Sequence, residues 1–254
     1  VGAAPTVEEA APVNFNQQQQ PYYADNATPQ AALAGRAKFI ERTYIHLAGA
    51  IALFVALEFV LLRTPATLKL AIQMTGSPTS WLVVLGLFML VGTVATHMAQ
   101  AARSKPMQYL GLGLYVVLEA IIFLPLLLVA HVLSGPENNI ILTAGVTTLA
   151  TFAALTGIVL ATKRDFSWMR SALMIVSFGV LGLIVASLLF GFTLGLGFTI
   201  GMIILAACYI LYDTSNVVHH YDEDQYISAA LALFASVALM FWYVLRLLIS
   251  LSRE

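Results

Sequence analysis

Seven apolar runs follow one another between residues 43 and 249, and they leave the chain very few folds to choose from. About 20 helical residues, rising 1.5 Å each, cross a hydrocarbon core of about 30 Å, and a bilayer forces each segment to satisfy its own backbone polar groups. The runs fall at residues 43–62, 80–101, 107–131, 139–161, 171–190, 196–217 and 226–249. None alternates with the period of two that a membrane barrel needs. The expected fold is therefore all-α: a polytopic membrane protein, a seven-transmembrane-helix bundle with the C-terminal hairpin of spans six and seven at its centre.

Composition supports this and removes other classes. With 60% hydrophobic and 10% charged residues the chain lies outside the balance of a soluble domain. A net charge of -1, with no stripe of Lys or Arg, excludes nucleic acid as a partner class and leaves the lipid bilayer as the expected one. The single cysteine, Cys208, falls within span six, where an inert buried thiol is expected. Residues 1–38 differ from the rest: four prolines and the run Gln17 to Gln20 read as a disordered or partner-bound polar tail ahead of a transmembrane domain at 39–254.

Punctuation agrees with the count. Pro65 and Pro78 bracket the first loop, Pro106 opens span three, and Gly191, Gly195 and Gly197 mark a short turn between spans five and six. The pairs Gly179 and Gly182, and Gly197 and Gly201, are expected to let helix backbones approach closely. Trp81 and Trp168 fit interface anchors, and Asp224 fits the N-cap of span seven. Lys and Arg set the orientation: Arg36, Lys38, Arg42, Arg103, Lys105, Lys163, Arg164 and Arg170 share the N-terminal side, against Arg63, Lys69, Arg246 and Arg253. The N-terminus is expected in the cytoplasm and the C-terminus outside.

An ionisable side chain inside the hydrocarbon costs about 2.5–3.5 kcal/mol on insertion scales, so each one asks for a reason. Two stand out. Asp213 lies in span six beside Thr214, Ser215 and Asn216; Glu119 lies mid-span in span three, with Pro125 following. Both also admit bland readings, an early polar exit of the helix and a structural hydrogen bond. His46, His97 and His219, with Arg103, fall at the same end as Asp213 and are candidate titrating neighbours. The loop His219 to Asp224 lacks the glycine and ligand spacing of a calcium site, so no metal site is expected. No nucleophile elbow, zinc or phosphate-loop signature is present, so neither an enzyme nor a cofactor is expected.

The run Leu211-Tyr212-Asp213-Thr214-Ser215-Asn216, then His219-His220-Tyr221, Asp224-Gln225-Tyr226, Ala229 to Phe234 and Tyr243 to Leu248, closely resembles the C-terminal signature of the transmembrane Bax inhibitor motif family. Thr162 to Ser167 and Arg42 to Leu47 resemble two further family segments, and the likeness covers about residues 36–250. It implies seven helices and, for a bacterial-type member of the inner (plasma) membrane, either a pH-sensitive calcium leak channel or a modulator of a membrane protease. In the leak-channel picture two aspartates on spans six and seven share a proton. Asp213 matches the first, Ser236 stands where the second is expected, and Leu239 replaces a frequent asparagine. Arg103 falls approximately on the family's basic latch, and Glu119 on an acidic position found in part of the family, from which it would supply a second carboxylate. Two expectations result: a calcium or proton leak gated around Asp213, or a non-conducting regulatory subunit holding a protein partner through its N-terminal tail.

Overall fold

The structure, a computed structural model, describes residue 2 and residues 29–101, 104–135 and 139–252. Among these, eight helices form: α1 (Pro29–Leu61), α2 (Pro65–Thr75), α3 (Pro78–Ala99), α4 (Lys105–Leu133), α5 (Ile140–Thr162), α6 (Met169–Phe190), α7 (Leu196–His219) and α8 (Tyr226–Leu251). Seven are long and apolar enough to cross a membrane, so the protein is a polytopic all-α bundle. Their ends lie within about two residues of the expected spans at six of the seven. The exception is α1, which is already helical through residues 29–38, a stretch that composition assigned to the tail. The remainder of that tail, apart from residue 2, lies outside the described residues.

The eighth helix is the unexpected one. Pro65 and Pro78 bracket not a loop but α2, 11 residues entered through extended Thr64, with proline at its start. Too short to span, it turns a single stripe, including the buried Ala71 and Met74, onto α3 and α4.

The core sits around α8, which touches α1, α3, α4, α5 and α7 and is buried along most of its length. A helix apolar all round belongs in such a position. On α1 the buried residues Phe39, Thr43, Leu47, Ala50, Phe54 and Glu58 recur every three or four positions and form one face, which meets α4 and α8. Phe54 is the knot of that contact, with ring centroids 5.1 Å from Phe123, 6.1 Å from Phe234 and 6.4 Å from Phe241. By contrast α6 buries just Leu173 among its residues and is otherwise turned to lipid or partly covered.

Three local expectations are corrected. The closest backbone approach is not at the glycines of α6 and α7: a Cβ built on Gly179, Gly182, Gly197 or Gly201 meets nothing within 4 Å among the described residues. It is at Gly111 of α4, where a Cβ would lie 2.5 Å from the Ala95 carbonyl oxygen and 2.5 Å from the Ala99 nitrogen of α3. Asp224 does not cap α8; Gln225 takes that position without a side-chain bond, and the Asp224 carbonyl instead accepts from Lys105. Trp81 is not a free interface anchor but half-buried and stacked on Trp242, with centroids 6.4 Å apart. Trp168, by contrast, is 73% exposed. The turn between α6 and α7 is as expected: Gly191 closes α6 at φ 73°, where a side chain would be strained, and extended Gly195 opens α7.

Candidate functional site

The bundle holds a partly open cavity of about 700 Å³ between α3, α4, α6, α7 and α8. Its lining runs most of the length of the bundle. Gln100, Tyr221 and Ser228 stand at the end that carries the α7–α8 loop; Trp81, Leu194 and Arg246 stand at the opposite end. Asp213 and Glu119 both line it, at 8% and 6% exposure, so one chamber brings together the two acids that stood out in the sequence.

Their neighbours follow from helix geometry. Ser236 of α8 faces α7 and donates its hydroxyl to Oδ2 of Asp213, the partnership expected of a serine standing where a second aspartate would be. No other described side chain donates a hydrogen bond to that carboxyl. Tyr115 precedes Glu119 by one helical turn on α4 and lies within electrostatic reach of both acids. Tyr221, in the α7–α8 loop, closes the chamber near Asp213; burial first, and then the Asp213 charge, push its phenol above the ordinary range, so it stays a neutral donor. At the far end Arg246 donates to the Leu194 carbonyl at 2.8 Å, which ties it to the α6–α7 turn.

The candidate histidines are not drawn into this chamber. His46 lies on α1 with its ring 5.0 Å from Tyr226 and its Nε2 2.9 Å from the Tyr109 hydroxyl. His97 is exposed, and the exposed His219 turns back to the Ser215 carbonyl at 3.0 Å. Each sits near the right depth but on a helix face pointing elsewhere. Arg103 lies outside the described residues.

Other polar groups hold the α7–α8 hairpin, and sequence reasoning missed them. Arg36, at the start of α1, fans its guanidinium onto the carbonyls of Val217, Val218 and Tyr221, the end of α7 and the loop beyond. These are the orphan acceptors of a helix C-terminus, at the negative end of its dipole. Gly35 leaves room beside Arg36 for the Glu223 carboxylate. Lys105 bonds Gln108 at 3.2 Å and sits 4.6 Å over the Tyr226 ring. From the other side Asp165, in the α5–α6 loop, accepts from the Ser167 amide at 2.8 Å and pairs with His220 at 3.1 Å, while Ser215 accepts from the Phe166 amide at 2.8 Å. The Ser167 amide above all, then the Ser167 hydroxyl and His220, hold the Asp165 carboxyl well below the usual carboxylate range.

Glu58 is the third membrane acid. It lies on the buried face of α1, 6% exposed, and neither carboxylate oxygen has a hydrogen-bond partner among the described residues. The signal was a lone charge in the run Ala56-Leu57-Glu58-Phe59-Val60-Leu61. An unsatisfied buried polar group costs about 1–3 kcal/mol. Glu58→Met, of similar length and without that cost, is expected to raise thermal stability in lipid nanodiscs by about that amount. A lower melting temperature would show that Glu58 has a partner the bundle needs.

Comparison with known proteins agrees with the architecture. The family described as inhibitor of apoptosis-promoting Bax1 matches residues 36–253. The chain is 29% identical over 173 residues to Bax inhibitor 1 of Schizosaccharomyces pombe, covering 66% of this chain and 61% of the relative. It is 30% identical over 111 residues to an uncharacterized protein of Pseudomonas aeruginosa, covering 43% of this chain and 50% of the relative. A Golgi anti-apoptotic protein of vaccinia virus is 28% identical over 127 residues, covering 48% of this chain and 52% of that protein. The matches thus span between half and two thirds of these relatives' own lengths. With a family match over most of its length and seven membrane-spanning helices, the chain belongs to the Bax inhibitor family.

Proposed function

We propose that this protein is a non-enzymatic cation leak, passing calcium or protons along the cavity and gated around Asp213. The observation that carries this reading is that Asp213 and Glu119 share one chamber whose lining extends from the α7–α8 loop to Arg246. Ser236 cannot share a titrating proton with Asp213, so Glu119 takes the role of second carboxylate. Both carboxyls open onto the same space, so a cation held there competes with a proton at either of them, which links occupancy to protonation. The groups facing them are Tyr115, Ser236 and Tyr221, with Arg246 at the far end. The Lys and Arg asymmetry supports an orientation with the N-terminus and the α7–α8 loop on the cytoplasmic side.

Calcium flux into liposomes carrying the purified protein tests it. At about 4 Å and an effective dielectric of about 20, one carboxylate contributes about 4 kcal/mol to holding a unit charge, so Asp213→Asn is expected to cut flux at least tenfold and flatten its pH dependence. Glu119→Gln is expected to do the same to a smaller extent. Flux no greater than from empty vesicles between about pH 6 and pH 8 would overturn the reading.

One observation favours a regulatory subunit instead. Gly179, Gly182, Gly197 and Gly201 turn toward the bilayer with open space beyond them, a surface that suits a foreign transmembrane helix. Crosslinking in native membranes through that face, with no flux in liposomes, would establish this second reading.

A further inference from the structure

The chamber is larger and more aromatic than a path for a bare ion requires. A pocket of 300–1,000 Å³ suits a drug-sized molecule, and this one holds about 700 Å³. One wall is built from rings: Trp81 stacks on Trp242 with 20° between planes, and Phe123 meets Trp242 edge-on at 5.0 Å. Phe88 and Tyr115, 6.5 Å apart, continue it toward the acids. Glu119 and Asp213 bring two ionisable carboxyl groups into the same space, and among the described lining residues Arg246 alone is basic, at the far end and engaged with the Leu194 carbonyl. Buried carboxylates without a cation are costly, and aromatic faces attract cations.

We infer that the cavity is a binding site for an amphipathic organic cation, a hydrophobic amine or phosphonium whose charge lies at Asp213 and Glu119 while its apolar body lies against Trp81, Phe123 and Trp242. A divalent metal ion would satisfy the acids but leave the rings without a role, and a neutral lipid would do the reverse. Only a ligand carrying both features fits both walls. Such a molecule partitions into bilayers, and the wall it meets from the lipid is α6, which contributes Ser177, Ile184, Ser187 and Leu188 to the lining while burying Leu173 alone. The inference uses the cavity of the proposed leak but does not require that any ion crosses it.

Binding of radiolabelled tetraphenylphosphonium to the full chain in phosphatidylcholine nanodiscs tests it, because that lipid carries no net charge to attract the probe. Saturable binding of one cation per chain is expected, displaced by dodecyltrimethylammonium but not by neutral triphenylphosphine. Asp213→Asn and Glu119→Gln are each expected to weaken it at least tenfold. A second reading does not depend on those variants folding. The chain has 3 tryptophans, of which Trp81 and Trp242 line the cavity. In Trp168→Phe the remaining fluorescence should therefore be quenched over the same concentration range. Binding equal to that of empty nanodiscs, binding unchanged in the folded Asp213→Asn/Glu119→Gln double variant, or quenching that never saturates would each overturn the inference. Since the assay reads no transport, a protein that binds the probe but passes no calcium would refute the leak alone.

Discussion

Gly111→Ala is expected to destabilise the bundle by about 2–3 kcal/mol even though alanine is the better helix former. In an open helix interior the exchange would be worth about 0.5–1 kcal/mol in the opposite direction. Here the added carbon would stand 2.5 Å from two backbone atoms of α3, and backbone cannot swing aside as a side-chain tip can. The helices must separate along the stretch where Ala95 and Ala99 are fully covered. Gly111→Leu is expected to leave little folded protein. Melting in nanodiscs gives the sign directly: a rise for Gly111→Ala would mean that α3 and α4 are not pressed together. Because Thr96 and Ala99 belong to the cavity lining, partial separation should also weaken cation binding in the folded fraction.

Arg36→Gln is expected to cost about 2–3 kcal/mol and to act at a distance on Asp213. Hydrogen bonds to a charged group contribute about 1.5–3 kcal/mol each, reduced here because the guanidinium is half-exposed at the membrane edge. Its three carbonyl partners lie at the end of the helix that carries Asp213 and in the loop just beyond it, so their release frays α7 from residue 217 toward the acid. Arg36→Lys keeps the charge but not the fork, and should recover only part of the loss. Hydrogen exchange of the amides of residues 214–221 is the measurement. Protection equal to that of the unaltered chain would show that the loop holds its shape without α1.

The transmembrane architecture was legible because hydrocarbon permits so few backbone solutions. What remained hidden was of three kinds. Helix α2 fell below a length test matched to a bilayer, and the prolines that start it look the same as prolines that bound a loop. Glu58 was lost because one carboxyl near the end of a strongly apolar run barely alters its average, although the period of the α1 face would have placed it inward with Phe54. Arg36 was counted for topology and not for structure, since its acceptors are more than 180 residues away. For the site, Asp213 and Ser236 were legible as a pair because the family pattern sets their register. That Glu119 joins them, while His46, His97 and His219 do not, depends on how each helix is rotated about its axis. Rotation is decided by packing around α8, which no local pattern records.

The sparse burial of α6 has a mechanical consequence. This helix is fastened at its two ends, through Phe166 and Asp165 to α7 at one and through the Gly191 to Gly195 turn at the other, with few side chains gripping it between. Ile175, Phe178, Leu189 and Phe190 are exposed, an apolar surface suited to acyl chains and not packed on protein. An outward swing of α6 would therefore be resisted mostly by lipid, and hydrophobic mismatch costs only fractions of a kcal/mol per ångström. Were α6 to swing, bilayer thickness and chain order would therefore set how far the chamber opens, more in one membrane than in another.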